Sequence, residues 1–94
     1  LAGVVLILDI RRIPRQEEFD FLAWLTRYGI GRILVLTKAD KLSANQQRNQ
    51  QRAVAAALGI AAGDLILFSA QTRMGRDQVW AAVEEIVRRK TEGA

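Results

Sequence analysis

Three apolar runs punctuate the chain, and none alternates with polar positions. They are GVVLILDI (Gly3–Ile10), GRILVLT (Gly31–Thr37) and DLILFSA (Asp64–Ala70). Such runs predict strands buried on both faces, as in a parallel sheet covered by helices. The stretches between them change period. After Pro14, a residue suited to a first helical turn, Glu17 and Glu18 fall where the positive end of a helix dipole favours them. Phe21, Trp24, Leu25 and Tyr28 follow at helical spacing with Leu22 beside them, and Gly29 or Gly31 can end that helix. A second helix opens at Ser43, with Gln46 three residues on in capping-box spacing, and runs to Leu58 before Gly59. A third begins near Gly75, places Val79, Ala82, Val83 and Ile86 on one face, and ends in Arg88–Lys90. The order βαβαβα predicts an α/β fold, a three-layer parallel sheet with right-handed crossovers. Trp24 and Trp80, set among apolar helical neighbours, are expected in the core. The tandem tetrads Asn45–Arg48 and Asn49–Arg52, both NQQR, read as a solvated helix face.

Polar residues break all three strands at their C-terminal ends: Asp9 in the first, Thr37-Lys38-Ala39-Asp40 in the second, Ser69 in the third. In open parallel sheets that edge is where ligands bind. A carboxylate fixed there accepts two neighbouring N–H donors at once, and guanine offers such a pair where adenine does not. A lysine two residues earlier can lay its methylene stem over a base while its ammonium stays near polar groups. A Ser-Ala turn from the next strand can support the carboxylate. The expected guanine-contacting residues are therefore Thr37, Lys38, Asp40, Phe68, Ser69 and Ala70, with Thr37 tethering neighbouring loops through its hydroxyl. Asp9 and Arg11 are expected to organise the adjoining loop.

Composition narrows the chemistry. Ninety-four residues make one small domain, and without cysteine there is neither a disulfide nor a thiolate metal site. The absence of histidine removes the commonest general base and metal ligand, and with it Ser-His-Asp chemistry. The net charge of +4 is compatible with an RNA-rich partner. The longest apolar run, Val4 to Leu8, is far too short to cross a bilayer, and the given residues do not open like a signal peptide. A cytoplasmic protein with no membrane association is expected, and the missing initial Met suggests that residues precede Leu1.

Read together, LDIRRIP (Leu8–Pro14), FDFLAWL (Phe19–Leu25), VLTKADKLS (Val35–Ser43), ILFSA (Ile66–Ala70) and GRDQVWAAV (Gly75–Val83) resemble the EngB (YihA/YsxC) family of ribosome-biogenesis GTPases. These belong to the translation-factor-related P-loop GTPases, and TKAD matches their [NT]KxD base motif while Ser69-Ala70 matches their SA motif. Thr37 in place of Asn suits this branch better than the Era- or EngA-like relatives. The resemblance runs from about Val4 to Val87 and implies the C-terminal half of a Ras-like GTPase domain. It also implies GTP or GDP as ligand and the large ribosomal subunit or its rRNA as partner, with a link to cell division and septation. The phosphate loop G-x-x-x-x-G-K-[ST] and a D-x-x-G segment are absent from these residues. Mg²⁺ would accordingly belong only to a complete protein, and the chain alone is expected to be inactive in phosphoryl transfer. The first strand, residues 4–10, would then lie at a sheet edge and invite self-association. The rival from another class is an interaction module that binds the ribosome or a protein and no nucleotide.

Overall fold

A computed structural model of the chain describes residues 3–92. Strand β1 (Gly3–Asp9) is followed by α1 (Gln16–Arg27), β2 (Gly31–Thr37), α2 (Ala44–Leu58), β3 (Leu65–Leu67) and α3 (Arg76–Glu92). The strands form one parallel sheet in the order β1-β2-β3. The expected βαβαβα order is therefore present.

Side-chain parity divides the sheet into two faces. Leu8, Leu34 and Leu36 pack with Leu22 and Leu25 of α1 and with Val54 and Ala55 of α2 in one continuous core. On the opposite face, Ile86 of α3 closes over Gly3, and Val83 and Ile86 line a shallow groove with Val5 and Ile33. Two helices on one side and one on the other make the three layers.

Local chemistry explains the helix ends. Arg15 has no side-chain acceptor, so Glu18 caps α1 by accepting from the Arg15 N–H at 2.9 Å. Pro14 thus precedes the cap, a residue or two before its expected place inside the first turn. Ser43 and Gln46 form the capping box read from the sequence: the Gln46 N–H donates to Ser43 Oγ at 3.2 Å, and the Ser43 N–H donates to Gln46 Oε1 at 3.0 Å. Gly59 ends α2 in the left-handed conformation, φ 71°, where a Cβ would be strained.

Four expectations need correction. Burial on both faces holds for β2, whose Ile33–Leu36 are all buried, but Val5 and Ile7 of β1 are exposed. The single helix on their face leaves the β1 margin of the sheet uncovered. The third strand is shorter than Asp64–Ala70: Ala62–Asp64 form a 3-10 turn and regular pairing stops at Leu67. Its partner leaves the ladder at Lys38, so the Phe68 carbonyl accepts from Ala39 N–H and the Ser69 N–H turns to the Met74 carbonyl. Trp24 and Trp80 are not core residues, with 48% and 59% of their surfaces exposed. Leu22 and Leu25 hold the inward side of α1, which leaves Phe21, Trp24 and Tyr28 as an outward row. Their rings sit 6.2 and 5.3 Å apart, and the Arg27 guanidinium lies over Tyr28.

The fourth correction concerns the NQQR tetrads. Gln47 and Gln51, the third residue of each copy, face inward. They continue the α2 stripe of Val54, Ala55 and Leu58 at helical spacing, Gln47 buried and Gln51 half-buried.

Candidate functional site

The register places the strand ends together. Asp9 lies opposite Thr37, and Leu36 lies opposite Leu67, so all three polar breaks meet on one edge. The Thr37 hydroxyl donates to the Leu8 carbonyl at 3.2 Å, tying β2 to β1 where the loops begin. A slip of one residue would turn Asp9 to the other face of the sheet, so this tether also protects the site's register.

Beyond Thr37 the backbone turns sharply. Lys38 adopts a left-handed conformation (φ 60°, ψ 32°), and Ala39–Lys41 form one 3-10 turn. Ala39 is fully buried beneath it. Its N–H donates to the Phe68 carbonyl at 3.0 Å, and its carbonyl accepts from Gln47 Nε2 at 2.7 Å. Gln47 also reaches the Leu42 carbonyl at 3.1 Å, and Gln51 bonds the carbonyls of Ala62 and Leu65. Each carboxamide satisfies backbone carbonyls that water would otherwise have to reach. The sequence reading missed Gln47 as a support of the site. The signal available was the spacing 47, 51, 54, 55, 58, a single helical stripe.

Asp40 is half-buried at the tip of this turn. Its Oδ1 accepts from the Ser69 hydroxyl at 2.7 Å, across 29 residues of chain, and Ser69 is itself fully buried. Ser69 Oγ in turn accepts from the Thr72 N–H at 3.2 Å. One oxygen of the carboxylate is therefore oriented by a buried hydroxyl, and no described residue donates to Oδ2. A carboxylate so held can receive a planar group that presents two adjacent N–H donors.

Lys38 flanks Asp40. Its Nζ lies 3.5 Å from Asp9 Oδ2. Asp9 is mostly covered and accepts three bonds from Arg11, from the backbone N–H at 2.9 Å, Nε at 3.2 Å and Nη2 at 3.0 Å. The Arg11 side-chain bonds, then its backbone bond, hold the Asp9 carboxyl far below the usual carboxylate range, with added attraction from Arg11 and Lys38. Of the residues singled out from the sequence, Asp9 bonds with Arg11 and Lys38, and Asp40 with Ser69, while Thr37 and Phe68 bond the neighbouring backbone at Leu8 and Ala39, all on the same sheet edge. Ala70 sits exposed on the turn that follows. Among the described residues no three acidic side chains gather closely enough to hold a metal ion. No described helix is long and apolar enough to cross a membrane.

No protein-family model matches the sequence. Individual relatives do. The chain is 46% identical over all of its 94 residues to the probable GTP-binding protein EngB of Geotalea daltonii, covering 45% of that protein. It is 49% identical over 87 residues, 93% of the chain, to the EngB protein of Trichlorobacter lovleyi, and covers 44% of it. For the EngB protein of Desulfatibacillum aliphaticivorans the identity is 49% over 86 residues, 92% of the chain and 42% of the relative. The chain thus spans less than half the length of the curated relatives it matches. By sequence the chain is similar to a segment, under half the length, of proteins described as probable GTP-binding proteins EngB.

Proposed function

We propose that this chain is the base-recognition half of a guanine-nucleotide-binding domain. One observation carries the reading: the Asp40 carboxylate, presented at the ligand edge of the sheet, is aimed by the buried Ser69 hydroxyl at 2.7 Å. Guanine N1–H and its exocyclic amine donate to that carboxylate, the Lys38 stem covers the base plane, and Thr37, Phe68, Ser69 and Ala70 frame the turn. The named relatives support it, since each is described as GTP-binding. In this reading the phosphate loop and the groups that hold Mg²⁺ lie in the C-terminal half's missing counterpart, outside these 94 residues, and this chain recognises the base without hydrolysing the nucleotide. The whole protein is then a cytoplasmic GTPase that assists large ribosomal subunit assembly through rRNA contacts, with a link to septation. For these roles the family resemblance and the net charge of +4 are the support.

The test is a calorimetric base series on this chain. GDP should bind about tenfold or more tighter than IDP, which lacks the exocyclic amine, because a hydrogen bond to a charged acceptor contributes about 1.5–3 kcal/mol. ADP should give no measurable heat. Equal affinity for GDP and ADP, or no binding of GDP by the folded chain, would remove the reading.

The uncovered margin of the sheet supports a second proposal, on association. Val5 and Ile7 of β1 are 44% and 64% exposed on a strand with one unpaired edge. Such an edge pairs with another strand, either of the counterpart half or of a second copy. Sedimentation of this chain alone is expected to show a concentration-dependent dimer or larger species, and a monomer up to millimolar concentration would count against it.

A further inference from the structure

Lys38 joins a left-handed backbone to a long cationic side chain. Its backbone is left-handed, a conformation that glycine or asparagine adopts most readily. Yet the residue there is a long cation, whose freedom would be lost on ordering. A strained backbone position filled by a residue poorly suited to it points to a role for the side chain. What the side chain touches is Asp9, at 3.5 Å from Nζ to Oδ2.

Asp9 is built to hold a partner. It ends β1 directly opposite Thr37, so register alone brings it beside the residue that follows Thr37. Its own orientation is set by three bonds from Arg11, two of them to Oδ1 and one to Oδ2. The Asp9 side chain is 16% exposed, whereas that of Lys38 is 56% exposed, so the carboxylate is the fixed member and the ammonium the tethered one. Arg11 saturates Oδ1 and shares Oδ2, which leaves Oδ2 as the anchor for a second cation.

We propose that Asp9, locked by Arg11, is the positioning residue that stretches Lys38 across the nucleotide site, so that the lysine stem stands ready as the wall on which the base packs. The functional consequence rests on the base-site reading above, but the tether itself does not. Asp9 touches no base. It acts through Lys38, reducing the disorder that binding would otherwise have to remove. The tether also gives the ammonium a protein counter-ion, so Lys38 need not seek a phosphate group.

The experiment has two arms on this chain. In the first, the Lys38 ammonium is observed by ¹⁵N-resolved NMR without ligand. Its signal is expected to stand apart from that of the exposed Lys41 and to collapse toward it in Asp9→Asn, while Asp40→Asn leaves it in place. Asp9→Asn keeps an oxygen for the Arg11 backbone N–H, and the amide spectrum of Leu8 and Thr37 reports that the strand ends remain paired. In the second arm, Asp9→Asn should weaken GDP binding about tenfold while leaving the ratio of GDP to IDP affinity unchanged. In a Lys38→Met background, which retains the stem and removes the charge, Asp9→Asn should have no further effect. A Lys38 signal indifferent to Asp9→Asn overturns the proposal, as does a loss of affinity that persists in full when Lys38 is Met. If the native chain binds neither GDP nor IDP, the base-site reading fails and the NMR arm still decides whether Asp9 restrains Lys38.

Discussion

Asp40→Asn is expected to exchange the base preference of this chain from guanine to xanthine. The carboxylate offers acceptors at both oxygens, and guanine meets them with two donors. In the variant the Ser69 hydroxyl, 2.7 Å from Oδ1 in the native chain, continues to donate to the remaining oxygen. That bond fixes the orientation of the new amide and leaves its NH₂ facing the ligand. Guanine then sets its amine against a donor, and one of its two charge-assisted bonds is lost. Xanthine carries a carbonyl where guanine carries the amine, so it pairs with the amide instead. A lost charge-assisted bond costs about 1.5–3 kcal/mol, roughly 10- to 150-fold in affinity. Because xanthine gains what guanine loses, the ratio of the two should shift by on the order of 10² to 10⁴. Titration of native and variant chains with GDP and XDP measures this directly. A variant that loses GDP without gaining XDP would mean that Asp40 supports the loop and does not read the base.

The largest effect on stability is expected from Gly75→Ala. Gly75 has φ 79°, and a Cβ there would lie 2.0 Å from the Leu67 carbonyl oxygen and 3.1 Å from its carbon. The obstacle is backbone of β3, which cannot swing aside as a side chain would. The left-handed conformation costs a non-glycine residue about 1–2 kcal/mol. Relief of the clash requires α3 to move off β3, for which overpacking of about 1–3 kcal/mol is a fair measure. A domain of this size has a total stability of about 5–14 kcal/mol, so the sum of about 2–5 kcal/mol is a large share of it. The damage would also reach the site, because the Ser69 N–H donates to the Met74 carbonyl one residue before Gly75. Urea unfolding should show a midpoint well below that of the native chain. Gly63→Ala is the control, since a Cβ at Gly63 meets nothing within 4 Å, and its midpoint should stay near the native one. Equal midpoints for both variants would show that α3 can shift freely against β3.

Much of this architecture is local in origin and was legible residue by residue. The Ser43–Gln46 capping box and Gly59 delimit α2 because each acts within one turn of the helix end. The polar breaks at Asp9, Thr37–Asp40 and Ser69 could be read as one edge because parallel strands joined by right-handed crossovers must align their C-terminal ends. The pairing of Ser69 with Asp40 followed from that alignment, and the structure adds its distance and the burial of the hydroxyl.

The misread features all depend on what lies beside an element. Trp24 carries the same helical spacing as Leu25, but only Leu25 faces the sheet, and the spacing alone cannot say how a helix is rolled. Gln47 and Gln51 looked like solvated polar residues because their partners are backbone carbonyls on other segments, invisible to composition. The apolar run of β3 continues to Phe68, yet regular pairing ends at Leu67 because β2 turns away at Lys38. Val5 and Ile7 carry the composition of a doubly covered strand, yet the helices described here leave both exposed. Sequence alone thus determined which elements form, their order, and which polar groups share an edge, since these follow from short-range propensity and chain connectivity. Only the tertiary structure decided which side chains face inward, where a strand stops pairing, and that Asp9 holds Lys38. Those outcomes depend on contacts between segments far apart in the chain.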